Sequence, residues 1–436
     1  MSDRAEELPL GIPESPEAIE EIQRRQKPIA FENAKRANFW KGKLDHINPA
    51  KLDDPDEWAK IPILDKDQLR ELSTEEFYED FCTAKQVDIC EYWRSGGSTG
   101  RPLFYPKTYD DIRYNMVGFA RTFQCAGTLP GNVAQISFPL GIHPAGHMWA
   151  RSARIIGIGA VWGGAGAALP SAMQLELIQN LRPTVWMGMS SYGLHLANLA
   201  AASGIDLKGS SVNRIMCTAE PVSAAKRAKL ERDWGAEVYD CFGMTECSMM
   251  GAESEKRDGF HIWTDLAYIE VLDEETMKPV AEGEPGLLVM TPMFSNNGAA
   301  FLRWNSGDIV TWKRQGETSS KFGVFPVIRH AHRTAGFFKI RGVNINHQEF
   351  EDFIFDIAEV NDFKAELITS EDGTDAFLLS IEMRPGSDAA AVKRSVQDAT
   401  KRVFEVTAEI KALELGTLAK EFESSVKAPR FADLRE

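Results

Sequence analysis

The sequence predicts a multidomain protein of mixed α/β and α+β class: a large N-terminal domain with mixed sheets, followed by a small α+β C-terminal unit. Three observations lead there. Short apolar runs alternate with helical periodicity from about residue 134 to 203, the pattern of strands joined by crossover helices in a mostly parallel layer. From His261 to about Val327 the pattern changes to strands and tight turns. The last hundred residues carry two helical stretches and a hairpin of their own. A length of 436 residues suits two or three domains. Hydrophobic residues at 43% and charged residues at 26% are the profile of an ordinary globular chain.

Taken in order, Pro16 to about Leu44 reads as helix, with Ile19, Ile22, Ile29, Phe31, Ala34 and Phe39 at helical spacing. Leu64 to Leu72 is a shorter helix that Asp65 would cap. Tyr92 to Pro106 reads as strand, Gly/Ser/Thr loop, strand. Strands are expected at Ala134–Phe138, Gly159–Trp162 and Thr184–Met187, and helices at Ala145–Ile156, Ala172–Leu181 and Ser191–Ser203. Ala267–Leu272 and Gly286–Thr291 have strand character, with a turn at residues 282–286. In the C-terminal unit, His347–Ile357 and Ala389–Glu405 read as helices. Phe363–Thr369 and Ala376–Met383 form a hairpin through Asp372-Gly373. The boundary falls near Arg333–Phe338, dividing residues 1–333 from 334–436.

Charge and composition exclude several classes. The formal net charge is −15, from 49 basic and 64 acidic residues. A surface that acidic repels a phosphate backbone, which sets nucleic-acid binding aside. The first sixteen residues lack the apolar core of a secretory signal, and no run approaches ~18 consecutive apolar residues. The expectation is a cytoplasmic protein with no membrane insertion. Six cysteines, Cys82, Cys90, Cys125, Cys217, Cys241 and Cys247, are spread thinly with no C-x-x-C pair. They read as reduced thiols.

The most informative octet is Ser95-Gly96-Gly97-Ser98-Thr99-Gly100-Arg101-Pro102. Its glycines let the backbone turn so that several N–H groups point inward, and its hydroxyls and cation add donors. Such a nest suits polyphosphate oxygens. The spacing is not that of a Walker loop. By itself the octet is equally well a surface turn. Four more segments follow it in one order: Ala219-Glu220-Pro221 after a strand-like 212–217, and Phe242-Gly243-Met244-Thr245-Glu246 after a strand-like 236–241. Then come Arg303-Trp304-Asn305-Ser306-Gly307-Asp308, and Phe338-Lys339-Ile340-Arg341-Gly342-Val343-Asn344.

In this order the segments resemble the adenylate-forming superfamily, and most of all its phenylacetate–CoA ligase family. Pro62–Leu69, Ser190-Ser191-Tyr192 and Lys427-Ala428-Pro429-Arg430 add to the likeness. The resemblance implies a large domain with a small mobile lid. It implies two steps: a carboxylic acid and ATP give an acyl-adenylate and pyrophosphate, then coenzyme A takes the acyl group as a thioester. ATP, Mg²⁺, CoA and an aromatic or small organic acid are the implied small-molecule partners, with a homodimer as the candidate assembly.

Roles follow from the same resemblance. Ser95, Gly97, Ser98, Thr99, Gly100 and Arg101 would hold the β- and γ-phosphates. Arg101 stands where the family usually has lysine, so a planar fork replaces a point charge. Ala219, Glu220 and Pro221 would lie at the adenine, and Phe242 and Gly243 beside the nucleotide. Thr245 would touch the α-phosphate and Glu246 would hold Mg²⁺. Asp308 would accept the ribose hydroxyls, Arg333 would act at the hinge, and Lys427 on the lid would meet the reacting carboxylate and α-phosphate. Phe138, His143, His147, Ser191, Tyr192 and Met244 would line the acyl pocket. Each has a plainer reading: Thr245-Glu246 as a helix cap, Asp308 as a turn residue, Lys427 as an exposed tail lysine, and His143 and His147 as helix neighbours.

The chain departs from the family in two places. A structural zinc site needs a cysteine where this sequence has Ser254, and a Cys-x-Cys where it has Gly316-Glu317-Thr318-Ser319-Ser320-Lys321. His261 alone cannot supply a four-ligand shell, so no structural zinc is expected. The paired aspartates of the usual hinge are Ala335 and Gly336 here. Two alternatives stay open: transfer to a different acceptor (an amine, a carrier-protein thiol or nitrite), or a non-catalytic binder of nucleotide or acyl-adenylate.

Overall fold

The computed structural model describes residues 8–94, 103–165, 168–315, 320–332, 337–340, 343–369, 375–422 and 430–435. Contacts divide the chain into two compact units. One comprises Met1–Asn132, Leu140–Ala160 and Tyr239–Arg333; the other comprises Val133–Pro139, Val161–Val238 and Thr334–Glu436.

The first unit is built on antiparallel strands. Ala267–Leu272, Gly286–Pro292, Trp304–Lys313, Val327–His332, Phe260–Ile262, Ser248–Ala252 and Glu237–Met244 follow one another side by side. A separate two-stranded ribbon pairs Ile89–Arg94 with Phe104–Thr108, Trp93 facing Tyr105. Its two strands flank the Ser95–Pro102 octet, which lies outside the described residues. The helix Tyr109–Cys125 follows the ribbon, capped by the Thr108 hydroxyl on the Asp111 N–H. This helix lies so close to the 248–252 strand that only glycine fits at position 118. A Cβ there would stand 2.1 Å from the Met249 carbonyl oxygen.

The N-terminal helix stops short of the expected Leu44 and ends at Lys35. Ala37 is extended, and Asn38–Trp40 forms a single 3₁₀ turn. The indole N–H of buried Trp40 donates to Ala300 O at 2.8 Å. That tertiary anchor overrides the helical spacing of the following residues. The second expected helix runs Lys66–Glu71, and the Asp65 N–H donates to the Gln68 side chain at 2.9 Å. Among the described residues no helix is long and apolar enough to cross a membrane.

The second unit contains the parallel layer. Val133–Ile136, Val185–Gly188 and Arg214–Cys217 pair in register, with the helices Ser171–Leu181, Ser190–Ala202 and Ala224–Trp234. The expected strands and helices here are in place to within a residue or two. The C-terminal part has the hairpin Phe337–Ile340 with Val343–Asn346 and the helix His347–Phe355. A four-stranded sheet follows in the order Ala408–Leu413, Asp375–Met383, Val360–Thr369, Phe431–Asp433. The helix Ala389–Phe404 connects two of its strands.

Gly118→Ala should lower the urea-denaturation free energy by about 1–3 kcal/mol, because the clash is with backbone that cannot rotate away. An unchanged denaturation midpoint would show that the helix can move off the strand.

Candidate active site

Phe242, Gly243 and Met244 end the 237–244 strand, and Thr245 and Glu246 form the tight turn into Ser248–Ala252. They cap no helix. The hairpin requires glycine at 243, where a Cβ would stand 2.7 Å from Ser248 O, and it holds Ser248 at φ 70°. The turn lifts Glu246 against the ribbon. Its carboxylate is nearly buried, yet it keeps charged and hydroxyl partners. The Tyr105 hydroxyl donates to Oε1 at 3.0 Å, and the Lys66 ammonium lies 3.7 Å from the same oxygen. Lys107, buried over the Trp93 ring, donates to Glu246 O at 3.3 Å. The Thr245 hydroxyl reaches Arg94 O at 3.5 Å. Burial pushes the Lys107 pKa down, against the opposing charge of Asp111 and Glu246.

Asp308 lies near the middle of the Trp304–Lys313 strand, not in a turn. The bend before it is tied by Asn305 Oδ1 accepting from Gly307 N at 2.9 Å and by Ser306 Oγ accepting from Asp308 N at 3.0 Å. His330 Nδ1 is 4.0 Å from Asp308 Oδ1, and its ring meets Phe242 edge-on with centroids 5.3 Å apart. The 242–246 and 303–308 segments therefore meet through His330. The Phe242 ring itself turns into the core against Phe260. Met244 packs half-buried against the same core. His143 precedes the helix Pro144–Ile155 without capping it. His147 Nε2 donates to the carbonyls of Leu140 and Gly141, the latter at 3.1 Å. It closes its own loop.

In the second unit, Ala219 adopts φ 73°, a left-handed conformation that costs a non-glycine residue about 1–3 kcal/mol and is found preferentially at functional sites. The strain turns Glu220 toward the helix Ser190–Ala202, whose own N-cap residue Met189 supplies no side-chain cap. Glu220 Oε1 accepts from the Ser190 hydroxyl at 2.7 Å and from the Ser191 N–H. A carboxylate 30 residues away in sequence thus caps the helix. Burial pushes the Glu220 pKa up, but Lys226 and the serine donors outweigh it and hold the carboxyl below its usual value. Pro221 leads from this turn towards the helix Ala224–Trp234.

Tyr192 is buried, with its hydroxyl 3.0 Å from Ser171 Oγ, which is also 3.0 Å from His195 Nε2. Its ring stacks on His195 at 5.6 Å. Ser191 and Phe138 are buried as well. Arg101, with the rest of the octet (Ser95, Gly97, Ser98, Thr99 and Gly100), Arg333 and Lys427 lie outside the described residues.

Residues 41–292 match the family model described as AMP-binding enzyme. The chain belongs to the AMP-binding enzyme family. Among its relatives, the phenylacetate–coenzyme A ligase of Thermus thermophilus is 26% identical over 370 residues, 83% of this chain and 80% of that protein. The Escherichia coli phenylacetate–coenzyme A ligase is 23% identical over 403 residues, 89% of this chain and 88% of the other. A crystal structure of 2-hydroxyisobutyryl-CoA ligase in the postadenylation state, with R3-HIB-AMP, shares the fold. It superposes with a TM-score of 0.80 at 24% identity, covering 96% of this chain and 89% of that one.

An AMP-binding enzyme that works with Mg²⁺ needs a hard oxygen donor at the nucleotide. Among the described residues no group of three or more His, Cys, Asp or Glu could cage an ion. A lone, cation-flanked Glu246 instead fits an ion that arrives on the nucleotide's own oxygens. At the corner where the resemblance implies zinc, Ser254 and His261 share a 3.1 Å hydrogen bond. The donor there is a hydroxyl, not a thiolate. The motifs did not point to Tyr105, Lys107 or His330. An aromatic in an alternating strand reads as core, and a lone histidine carries no pattern. Lys66 lay in a segment flagged only by resemblance.

Glu220 predicts a pH effect. Its folded pKa lies below the usual 4.5. Its contribution is therefore present above that value and lost as pH falls through the depressed one. Glu220→Gln should flatten the acid side of the stability curve, measured as urea midpoints between about pH 3 and 6. Parallel curves for the two proteins would remove the carboxylate from this role.

Proposed function

We propose that this AMP-binding enzyme is an ATP-dependent acid–CoA ligase: it activates an aromatic or small organic carboxylic acid as an acyl-adenylate, then transfers the acyl group to coenzyme A. The observation that carries the reading is the Thr245–Glu246 turn. It sets a carboxylate between Tyr105 and Lys66 at the ribbon from which the Ser95–Pro102 octet springs. A hard carboxylate, together with the hydroxyls and glycines of that octet's sequence, is a donor set suited to a magnesium-bound triphosphate. The ligase names of the relatives support the same chemistry.

In this reading Ser95, Gly97, Ser98, Thr99, Gly100 and Arg101 take the β- and γ-phosphates. Glu246 would hold Mg²⁺, its Oε1 accepting from the Tyr105 hydroxyl, and Thr245 would face the α-phosphate. Asp308 accepts the ribose hydroxyls, its strand held by the 305–308 bend. Ala219, Glu220 and Pro221 line the adenine through main-chain atoms, since the Glu220 carboxylate serves the 190–202 helix. Phe242 and Gly243 likewise act through the backbone. Lys427 neutralises charge building on the α-phosphate. Phe138, His143, His147, Ser191, Tyr192 and Met244 bound the acyl pocket, with Tyr192 fixed as an aromatic wall by Ser171 and His195. The proposed domain division is 1–333 and 334–436, with the latter as the mobile lid and Arg333 at the hinge. The cytoplasm is the proposed compartment, in keeping with six free cysteines.

ATP–pyrophosphate exchange across a panel of benzoates, arylacetates and short hydroxy acids tests the first step. Adding CoA, amines or nitrite to the active acid, with products weighed by mass spectrometry, tests the second. No exchange with any acid and no affinity for ATP would sink the reading. Glu246→Gln should cut exchange by about 100-fold or more. Lys427→Ala should reduce acyl-adenylate formation by a similar factor while largely sparing thiolysis of supplied acyl-adenylate; full AMP formation in that variant would disprove its role.

A further inference from the structure

We propose that Tyr105 sets the metal preference of the site: by holding Oε1 of Glu246, it makes this carboxylate a one-oxygen ligand, suited to Mg²⁺ and poorly suited to Ca²⁺. The inference rests on Glu246 as the metal-binding carboxylate and adds a residue that no motif includes.

The hydroxyl cannot easily leave its post. Tyr105 is fully buried, and its ring sits 5.9 Å from Phe77 and 5.3 Å from Phe301, centroid to centroid. Pairing with Trp93 in the ribbon fixes its Cα. A neutral phenol can donate one hydrogen bond and an ionised carboxylate can only accept, so the 3.0 Å contact commits Oε1 as acceptor. Lys66 approaches that same oxygen at 3.7 Å.

The carboxylate cannot easily turn either. Lys107 holds the Glu246 carbonyl at 3.3 Å, and the Thr245 hydroxyl is tied to Arg94 O at 3.5 Å. With the turn pinned from both sides, rotation that would bring both oxygens forward breaks the Tyr105 contact.

Ion chemistry converts this into selectivity. Mg²⁺ is small, demands octahedral geometry near 2.0–2.1 Å (roughly), and takes single carboxylate oxygens together with water and phosphate. Ca²⁺ accepts a larger, looser shell and gains from carboxylates that bind through both oxygens. Oε1, already accepting from the phenol and facing the Lys66 ammonium, is the poorer donor for a second metal bond, which handicaps calcium and costs magnesium nothing. The same hydrogen bond also orients the remaining oxygen, so its loss weakens magnesium as well.

Tyr105→Phe keeps the ring and removes the hydroxyl. The probe is α,β-methylene-ATP, which cannot be split at the reacting bond, titrated calorimetrically in Mg²⁺ and in Ca²⁺. In the parent protein the magnesium complex should bind about ten-fold tighter or more. In Tyr105→Phe that ratio should fall by about five- to ten-fold, with weaker magnesium and equal or stronger calcium binding. Lys107→Met should weaken both complexes alike and leave the ratio in place, since it supports the turn and not Oε1. An unchanged ratio in folded Tyr105→Phe, verified by its melting temperature, overturns the role of Tyr105. So does an equal change of ratio in Lys107→Met. Binding of neither complex by the parent protein overturns the ATP reading itself, and this proposal with it.

Discussion

Arg303 stands where three stretches of the first unit converge. Its Nε and Nη2 grip both oxygens of Glu270 at 3.0 and 2.9 Å, and its Nη1 donates to the carbonyls of Ala59 and Ile61 at 2.8 and 2.6 Å. Only a planar fork satisfies so many acceptors at once. The residue holds φ 42° and buries its charge to do so. Pinning residues 59–61 lets the following chain zip onto the same strand: Leu64 N donates to Arg303 O at 3.0 Å and Asn305 N to Leu64 O at 2.9 Å. Lys66 is thereby delivered to Glu246, and Asp308 extends from the strand so anchored. Losing one member of the Arg303–Glu270 pair would leave a buried charge uncompensated, a larger penalty than the pair's net worth. The placement of two candidate ligand-binding carboxylates depends on this one clamp.

Those carboxylates contrast with Glu220. All three are acids in the motif segments, yet the chain treats them differently. Glu220 is neutralised by its surroundings: helix N–H, serine hydroxyl and Lys226, itself 2.8 Å from Glu351. Its partners satisfy it internally, and the strained Ala219 maintains the turn that lets them. Glu246 receives one hydroxyl and one ammonium on a single oxygen, and Asp308 a histidine at the edge of contact. Under the proposed function these two carboxylates serve the metal ion and the ribose. A carboxylate that caps a helix and accepts from two serine donors is architecture. This distinction separates the residues more sharply than their shared motif status does.

How far the sequence disclosed this follows from what each signal measures. Periodicity reports burial along an element, so helices such as Ser171–Leu181 and strands such as Gly159–Trp162 were legible within a residue or two. It reports nothing of tertiary anchors, which is why helical spacing runs to Leu44 although the helix ends at Lys35: the Trp40 indole bond to Ala300 has no local signature. Motif order disclosed the family and its nucleotide chemistry, but motifs name backbone stretches and not side-chain directions. Phe242 turns into the core, Glu220 caps a helix, and Thr245-Glu246 makes a hairpin turn where a helix cap had been weighed. Tyr105 and Lys107 come from a strand read only as a flank of the octet. Alternation correctly gave the strand and could not tell a buried phenol that packs from one that also donates.

The corner around Ser254 and His261 is held by burial and paired polar groups. Burial pushes the His261 pKa down, against Asp258, and favours a neutral imidazole that can share a hydrogen bond with the Ser254 hydroxyl. Nearby, the Trp263 ring lies 5.3 Å from Phe322 and 5.2 Å from Phe325 between centroids, and the Arg121 guanidinium sits 5.5 Å over Phe325. Arg121 is in turn held by both oxygens of buried Asp265 at 2.7 and 2.8 Å. Aromatic area and the buried Arg121–Asp265 ion pair help to hold these loops. Packing of this kind stabilises the loops through area removed from water, while the metal role proposed for Glu246 calls on a different property, a hard oxygen donor at a nucleotide.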